Sequence, residues 1–380
     1  MTQGSHPENN THRRIPVNML PIDQNKLNLI TLNPTRFGDL GLFCHDLPGI
    51  GGRLKTVPED FEVEEIPVYE PSGEGEHLFL WVEKRGVSSD QMIKALALGL
   101  DMSARDIGIA GKKDKNAVTR QFVSIPAKLA DRVDRFQDDK ITVLSSRTHT
   151  NKLSTGHNHG NRFKVVVRDL SNPDPDLIQQ ITDRIHDVGF PNFYGTQRFG
   201  VDGDTAEIGF KFLKGEEDSL SKQWRVRSRK KFVISAAQSF LFNRYLMRRM
   251  LDRGTDKLMS GDVVFKTTGG IFRVEDLEVE QKRFEANEIV PAGPIFGKKT
   301  YQSAGEALEF ENSILAEAGI ERAVFSDFGK LMLGSRRAIY CRPEGLSCEL
   351  SGNDLLIEFQ LPSGSYATVL LAAYMQPPLG

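Results

Sequence analysis

Cysteine is scarce in this chain of 380 residues: Cys44, Cys341 and Cys348 are odd in number and include no C-x-x-C pair. That argues against a disulfide framework and a cysteine zinc site, and points to a reducing cytoplasm. Long apolar runs are also missing, so no segment reaches the roughly 20 residues that cross a bilayer as a helix. The first twenty residues, MTQGSHPENNTHRRIPVNML, lack the apolar core of a secretory signal. Residues 1–34 read as a disordered polar tail. No internal repeat or low-complexity tract is present, which excludes a repeat architecture.

Excess positive charge is the third thing lacking. A formal net charge of −2 argues at first against a polyanionic partner. The total conceals an asymmetry. Glu59 to Glu76 holds eight acidic residues and no Lys or Arg, whereas Ser219 to Leu251 holds nine Lys or Arg and no acid. The basic stretch opens with WRVRSRKK, Trp224 to Lys231, and continues into an apolar-rich segment whose Phe232, Ala236, Phe240, Tyr245 and Met250 suit a buried helix face. Arg225, Arg227, Arg229 and Lys230 are therefore candidates for phosphate contact, although a charged helix exterior would read the same way.

What is present suits a soluble globular protein of two or three domains, with 39% hydrophobic and 26% charged residues. His77 to Val82 and Arg162 to Arg168 read as strands and Asp90 to Leu100 as a helix. Asp174 and Pro175 supply an N-cap and first turn for a helix carrying Leu177, Ile178, Ile181, Ile185 and Val188. Ser303 and Glu306 fit a capping box, with Gly319 placed to end that helix. Leu355, Ile357, Phe359 and Leu361 alternate as in a half-buried strand before a turn at Pro362 to Ser365. The class is mixed α and β.

The most informative segment is AGKKDKNAVTRQ, Ala110 to Gln121. It sets one carboxylate, Asp114, among Lys112, Lys113 and Lys115, between two strand-like stretches and so on a tight loop. Neighbouring ammonium groups lower a carboxyl pKa, which suits a nucleophile or proton acceptor better than a general acid. A solvated charge cluster in a turn has the same local composition. His157-x-His159 reads as a polar loop, because no third metal ligand is spaced nearby.

Gly111, Lys113, Asp114, Lys115, Ala117, Thr119 and Gln121 together resemble the G-x-K-D-[KR]-x-A-x-T-x-Q signature of the tRNA pseudouridine synthase D (TruD) family. Four more segments fit in order: Lys55 with PEDFEVEE, Gly160 to Phe163, PNFYGTQRFG from Pro191, and LPSGSYATVLL from Leu361. The resemblance runs from about Leu54 to Leu371. It implies an α/β (α+β) fold, in which a pseudouridine synthase catalytic domain with a mixed, mainly antiparallel sheet is interrupted by a family-specific α/β insertion. Residues 35–190 and 336–380 would form the catalytic part and residues 191–335 the insertion.

The resemblance also implies an activity, the isomerisation of uridine to pseudouridine in tRNA, most simply at position 13. The target nucleotide must be extruded and held, with Phe163 and Tyr366 as candidate stacking rings. Asp114 would then act as nucleophile, or as the base that takes a sugar proton to give a glycal. Asn161 would hydrogen-bond the Asp114 carboxylate, Lys55 would pair with it or touch phosphate, and Arg198 would anchor the domain junction or a phosphate. Tyr366 stands where relatives carry phenylalanine. The reaction needs no cofactor and no metal; tRNA is the expected partner, the protein monomeric, and a membrane is not involved. Two other classes compete, an RNA-binding or RNA-folding module without turnover and a hydrolase with an aspartyl nucleophile; within the enzyme class, a different RNA site is the alternative.

Overall fold

A computed structural model describes residues 43–44, 46–200, 204–254 and 256–376. The expected tail at 1–34 lies outside the described residues. The main sheet is built from β1 (Phe61–Pro67), β2 (His77–Arg85), β3 (Gly108–Ile109), β4 (Val118–Pro126), β5 (Ile141–His149), β6 (Asn158–Val167), β13 (Glu344–Ser351) and β14 (Asp354–Pro362). Its order is β13-β14-β6-β1-β4-β2-β5, with β3 on β4. Only β1 and β4 run parallel; the other pairs in this sheet are antiparallel. The fold class is the mixed, mainly antiparallel α/β arrangement expected.

Strand alternation gives the sheet two unlike faces. On one, Phe61, Val63, Val165, Ile357 and Phe359 are buried. The apolar side of α2 (Pro175–Val188) adds Leu177, Ile178, Ile181 and Ile185 to the same core. Asp174 caps that helix by accepting from the backbone N–H of Asp176 and Leu177, as the sequence suggested. Farther along, α1 (Ser89–Gly99) lays Met92 and Leu96 on Leu78, Leu80, Val123 and Ile125. The opposite face carries charge. Glu62 lies across from Lys164, Glu64 from Arg162 and Arg120, and Glu83 from Arg120. The acidic run of β1 is thus flanked by basic side chains from both neighbouring strands, which the linear sequence could not display.

The chain leaves this sheet through β7 (Phe190–Pro191) and returns through β12 (Tyr340–Cys341), and these two short strands pair. Between them α3 (Asp204–Leu213) packs on the long α4 (Arg227–Arg253), beside a second sheet. Its strands are β8 (Val263–Lys266), β9 (Ile271–Arg273), β10 (Ile289–Ile295) and β11 (Ser335–Ala338), ordered β11-β10-β8-β9. One hydrophobic core runs through both parts, joining Val165 and Ile357 to Phe190, Phe242 and Tyr245. Helices α5 (Leu277–Glu285) and α6 (Gly305–Glu317) complete this part, and α7 (Ala367–Met375) closes the described chain.

Two local expectations are corrected. Helix α6 starts after Ala304 with no side-chain cap, and the Ser303 hydroxyl is buried without a partner among the described residues. The Ala304 and Ala307 amides instead reach the carbonyls of Gly261 and Ser260, and Glu306 pairs with Arg253. A tertiary contact has replaced the capping box. On α4, Ala236, Tyr245 and Met250 are buried and Phe240 partly so, but Phe232 points outward with 47% of its surface exposed.

Candidate active site

Strands β3 and β4 hold the loop that carries Asp114. Its backbone is tied down from beneath. Lys84, the last buried residue of β2, sends its ammonium to the Asp114 carbonyl at 2.5 Å and the Val87 carbonyl at 2.9 Å. Ser89, at the start of α1, accepts from the Lys113 amide at 2.9 Å, and Gln121 on β4 donates to the Gly111 carbonyl at 3.2 Å. Burial in this floor lowers the Lys84 pKa to about 8, against the pull of Asp114, with Lys113 lowering it further.

The Asp114 carboxylate is 26% exposed and is held through one oxygen. Lys55 Nζ donates to Oδ1 at 2.7 Å and Gln197 Nε2 donates to the same atom at 3.0 Å. Oδ2 accepts no hydrogen bond from the described residues. Burial alone would raise this pKa, but the Lys55 charge and hydrogen bond, the Gln197 amide and the Lys84 charge outweigh it and hold the group below its ordinary value. The carboxylate is therefore ionised at neutral pH, as its lysine-rich loop suggested. The lysines responsible are chiefly Lys55 and Lys84, from other strands and loops.

Lys55 adopts a left-handed backbone, φ 56°, which costs a non-glycine residue on the order of 1–3 kcal/mol. That conformation accompanies an ammonium 4.0 Å from the Phe61 ring centroid and in contact with Asp114. Asn161 does not reach Asp114. Its Oδ1 accepts from Lys113, whose ammonium also lies 3.0 Å from the buried Glu65 carboxylate. Asn161 and Asp114 both border the cleft, yet Lys113 stands as the partner of the first and Lys55 and Gln197 of the second.

The cleft in front of Asp114 has a volume of ≈ 380 Å³ and is bordered by Phe163, Gln197 and the turn 363–366. Phe163 is only 6% exposed: one face stacks on Phe359 at 5.1 Å and the ring meets Phe61 edge-on at 6.1 Å. Tyr366 stands at the head of α7, 5.9 Å from the Tyr194 ring, and burial raises its phenol pKa. Arg198 turns away from Asp114: Nε donates to Ser239 at 3.1 Å and Nη2 to Ser235, both on α4.

The basic residues gather at the first turn of α4 and the turn before it. Arg225 is held by Asp218 at 3.0 Å, Arg229 donates to Gln223 at 2.7 Å, and Lys230 lies 4.5 Å above the Phe212 ring. Arg227 is exposed and has no charged partner among the described residues. This first turn has no side-chain cap and no acidic residue, so its basic charges face the positive end of the helix dipole.

Lys84, Gln197 and the Glu65 to Lys113 pair escaped sequence reasoning. Signals existed for each. Gln197 sits inside PNFYGTQRFG. Lys84 follows Leu78, Leu80 and Val82 in strand phase, and Glu65 follows Phe61 and Val63, so both charges occupy positions the pattern reserves for buried residues. His157 bonds the Tyr69 hydroxyl at 2.8 Å, while His159 lies within β6 instead of a loop. No group of three or more metal-ligating side chains is found among the described residues. No helix among them is long and apolar enough to cross a membrane.

Comparison with known proteins gives a consistent result. A family model described as tRNA pseudouridine synthase D (TruD) matches residues 39–224 and 226–374. A relative named tRNA pseudouridine synthase D from Anaeromyxobacter sp. (strain Fw109-5) is 40% identical over 340 residues, covering 89% of this chain and 96% of its own. One of the same name from Thermus thermophilus is 39% identical over 349 residues, covering 91% and 94%. Among solved structures, a protein assigned to tRNA pseudouridine synthase D (TruD) from Methanosarcina mazei superposes with a TM-score of 0.70. It covers 89% of this chain and 97% of its own at 24% identity, a likeness of fold.

Proposed function

The chain belongs to the tRNA pseudouridine synthase D (TruD) family, isomerases of tRNA uridine, and from that premise we propose that Asp114 is the reacting carboxylate. One observation carries the assignment: Lys55 and Gln197 fix Oδ1 and keep the group ionised, while Oδ2 is left open on the wall of the cleft. A carboxylate so oriented is preorganised, with one oxygen engaged in positioning and the other available for reaction.

The nucleoside has to leave its stack to enter such a cleft. In the nucleophilic route Oδ2 attacks C1′ and the N1 to C1′ bond breaks, with uracil leaving as its N1 anion. The uracil turns, C5 attacks C1′, and the carboxylate departs; C5 loses a proton and N1 gains one, so the product is an isomer of the substrate. In the glycal route Oδ2 takes the C2′ proton as uracil departs as its N1 anion; the uracil turns, C5 bonds to C1′ as the carboxyl returns the proton to C2′, and C5 then loses a proton while N1 gains one. Lys55 beside Oδ1 steadies the charge on the carboxylate in either case. Phe163 and Tyr366 supply the aromatic walls against which the base is held. Asn161, bound to Lys113, borders the same cleft and offers its amide to the base.

The substrate site is position 13 of tRNA in this reading; the insertion, expected at residues 191–335, runs on to Ala338, because β11 pairs with β10 in the second sheet, and the catalytic part takes residues 35–190 with those from 339 onward. The exposed first turn of α4 and the turn before it, with Arg225, Arg227, Arg229 and Lys230, contact tRNA phosphate. Arg198 positions α4 against the cleft, and the protein works as a cytoplasmic monomer without cofactor or metal. Mapping pseudouridine in total tRNA with and without the protein tests the site; modification confined to another position would overturn the assignment. Substrate deuterated at C2′ tests the glycal route, since a primary isotope effect on the single-turnover rate requires that proton to be lost in the rate-limiting step.

A further inference from the structure

Among the described residues Phe232 is the one phenylalanine whose ring is exposed. It lies early on α4, directly after Arg227, Arg229, Lys230 and Lys231. Ser235 and Ser239, three and seven residues later, share its helix face. Those two hydroxyls pin the Arg198 guanidinium, whose central carbon is 6.0 Å from the Phe232 ring centroid and 5.9 Å from that of Tyr194. The neighbouring residue, Gln197, donates to Asp114. A continuous path therefore leads from the reacting carboxylate through Gln197 and a fixed guanidinium to an open aromatic ring, and on to an unbalanced basic turn.

We infer that Phe232 and Arg198 form a shelf on which an unpaired base of the RNA, next to the reacting uridine, stacks. Extruding one nucleotide breaks the stacking of its neighbours, and the freed base needs a new apolar face. The Phe232 ring supplies that face, the guanidinium beside it adds cation–π attraction, and the basic turn draws the adjoining phosphates. Charge complementarity selects nucleic acid over an apolar protein segment, because no acid lies between Ser219 and Leu251. The shelf rests on the Asp114 reading, since that fixes where the uridine sits.

The test uses the full chain in an Asp114→Asn background, so that binding is measured without turnover. Phe232→Ala is expected to weaken tRNA binding roughly five- to hundredfold, and Phe232→Trp to restore it. A tRNA made abasic at the nucleotide before or after the target should lose similar affinity for the protein with Phe232 intact, yet bind the Phe232→Ala variant no worse than unaltered tRNA does. Losses that simply add, or unchanged affinity in Phe232→Ala, would overturn the shelf. Thermal melting verifies folding, and a half-exposed ring should leave it nearly unchanged. Were the Asp114 reading wrong, Asp114→Asn alone would retain turnover, a result separate from any binding outcome at Phe232.

Discussion

The two faces of β1 carry the same residue type in opposite circumstances. Glu64 looks outward, 2.8 Å from Arg162, with both partners substantially in water. Glu65, one residue later, looks inward, where Lys113 at 3.0 Å is its one cation among the described residues and both side chains are almost fully enclosed. Its Oε1 accepts from the Phe122 amide at 3.3 Å, while Oε2 faces the ammonium without an aligned hydrogen bond. Exposed ion pairs are worth little because water competes for both charges. Enclosed ones cost much to form and more to break. The charges that build the reactive loop are therefore the inward ones.

The largest effect expected in this comparison is on chemistry. Asp114→Asn keeps size and most hydrogen bonds but removes the charge, so pseudouridine formation should fall below a few per cent while tRNA affinity stays within roughly tenfold. Residual turnover above that level would sink the assignment. Next comes the inward pair. Lys113→Met leaves Glu65 charged and alone, and should cost about 3–5 kcal/mol in urea unfolding, whereas Lys113→Met with Glu65→Leu should recover much of the loss. No recovery would mean that the pair stabilises by shape alone.

The basic turn of α4 provides a third kind of charge, unbalanced and outward. Replacing Arg227, Arg229 and Lys230 by Ala should weaken tRNA binding and flatten its salt slope, by about 0.9 for each phosphate no longer neutralised. An unchanged slope would show that this turn faces away from RNA.

A smaller effect is expected at Lys84. Its depressed pKa means that above about pH 8 the folded protein has released a proton that the unfolded chain still holds. Unfolding then takes up protons, so this group makes stability rise with pH above about 8, up to its unfolded pKa. Lys84→Met should remove that part of the rise between about pH 8 and 9.5 in denaturant titrations; an identical pH slope in both proteins would contradict the buried ammonium. Smallest of all, Glu64→Gln should change stability by no more than about 1 kcal/mol and leave turnover intact.

Much of this contrast was written in the chain as alternation. Phe61, Val63 and Glu65 are in phase, as are Leu78, Leu80, Val82 and Lys84, so a strand reading already assigns both charges to the core side. The Asp114 loop, the helix begun at Asp174 and the strand ending at Pro362 were equally legible, because each is set by neighbours a few residues away. Phe232 was misjudged for the opposite reason. On a helix rich in apolar residues, periodicity names a face but not how far along it the partner extends, and here the packing gives out before the first turn.

By itself the sequence singled out the carboxylate proposed to react, through the signature it shares with the family, and roughly where strands and helices begin, since period acts over short stretches of chain. Only the tertiary structure decided which groups meet. Lys55 and Gln197 lie 59 and 83 positions from Asp114 yet converge on its Oδ1, and Asn161 is taken by Lys113 instead. Such partnerships depend on register between distant strands and on which cation best offsets a buried carboxylate, and those are properties of the packed molecule.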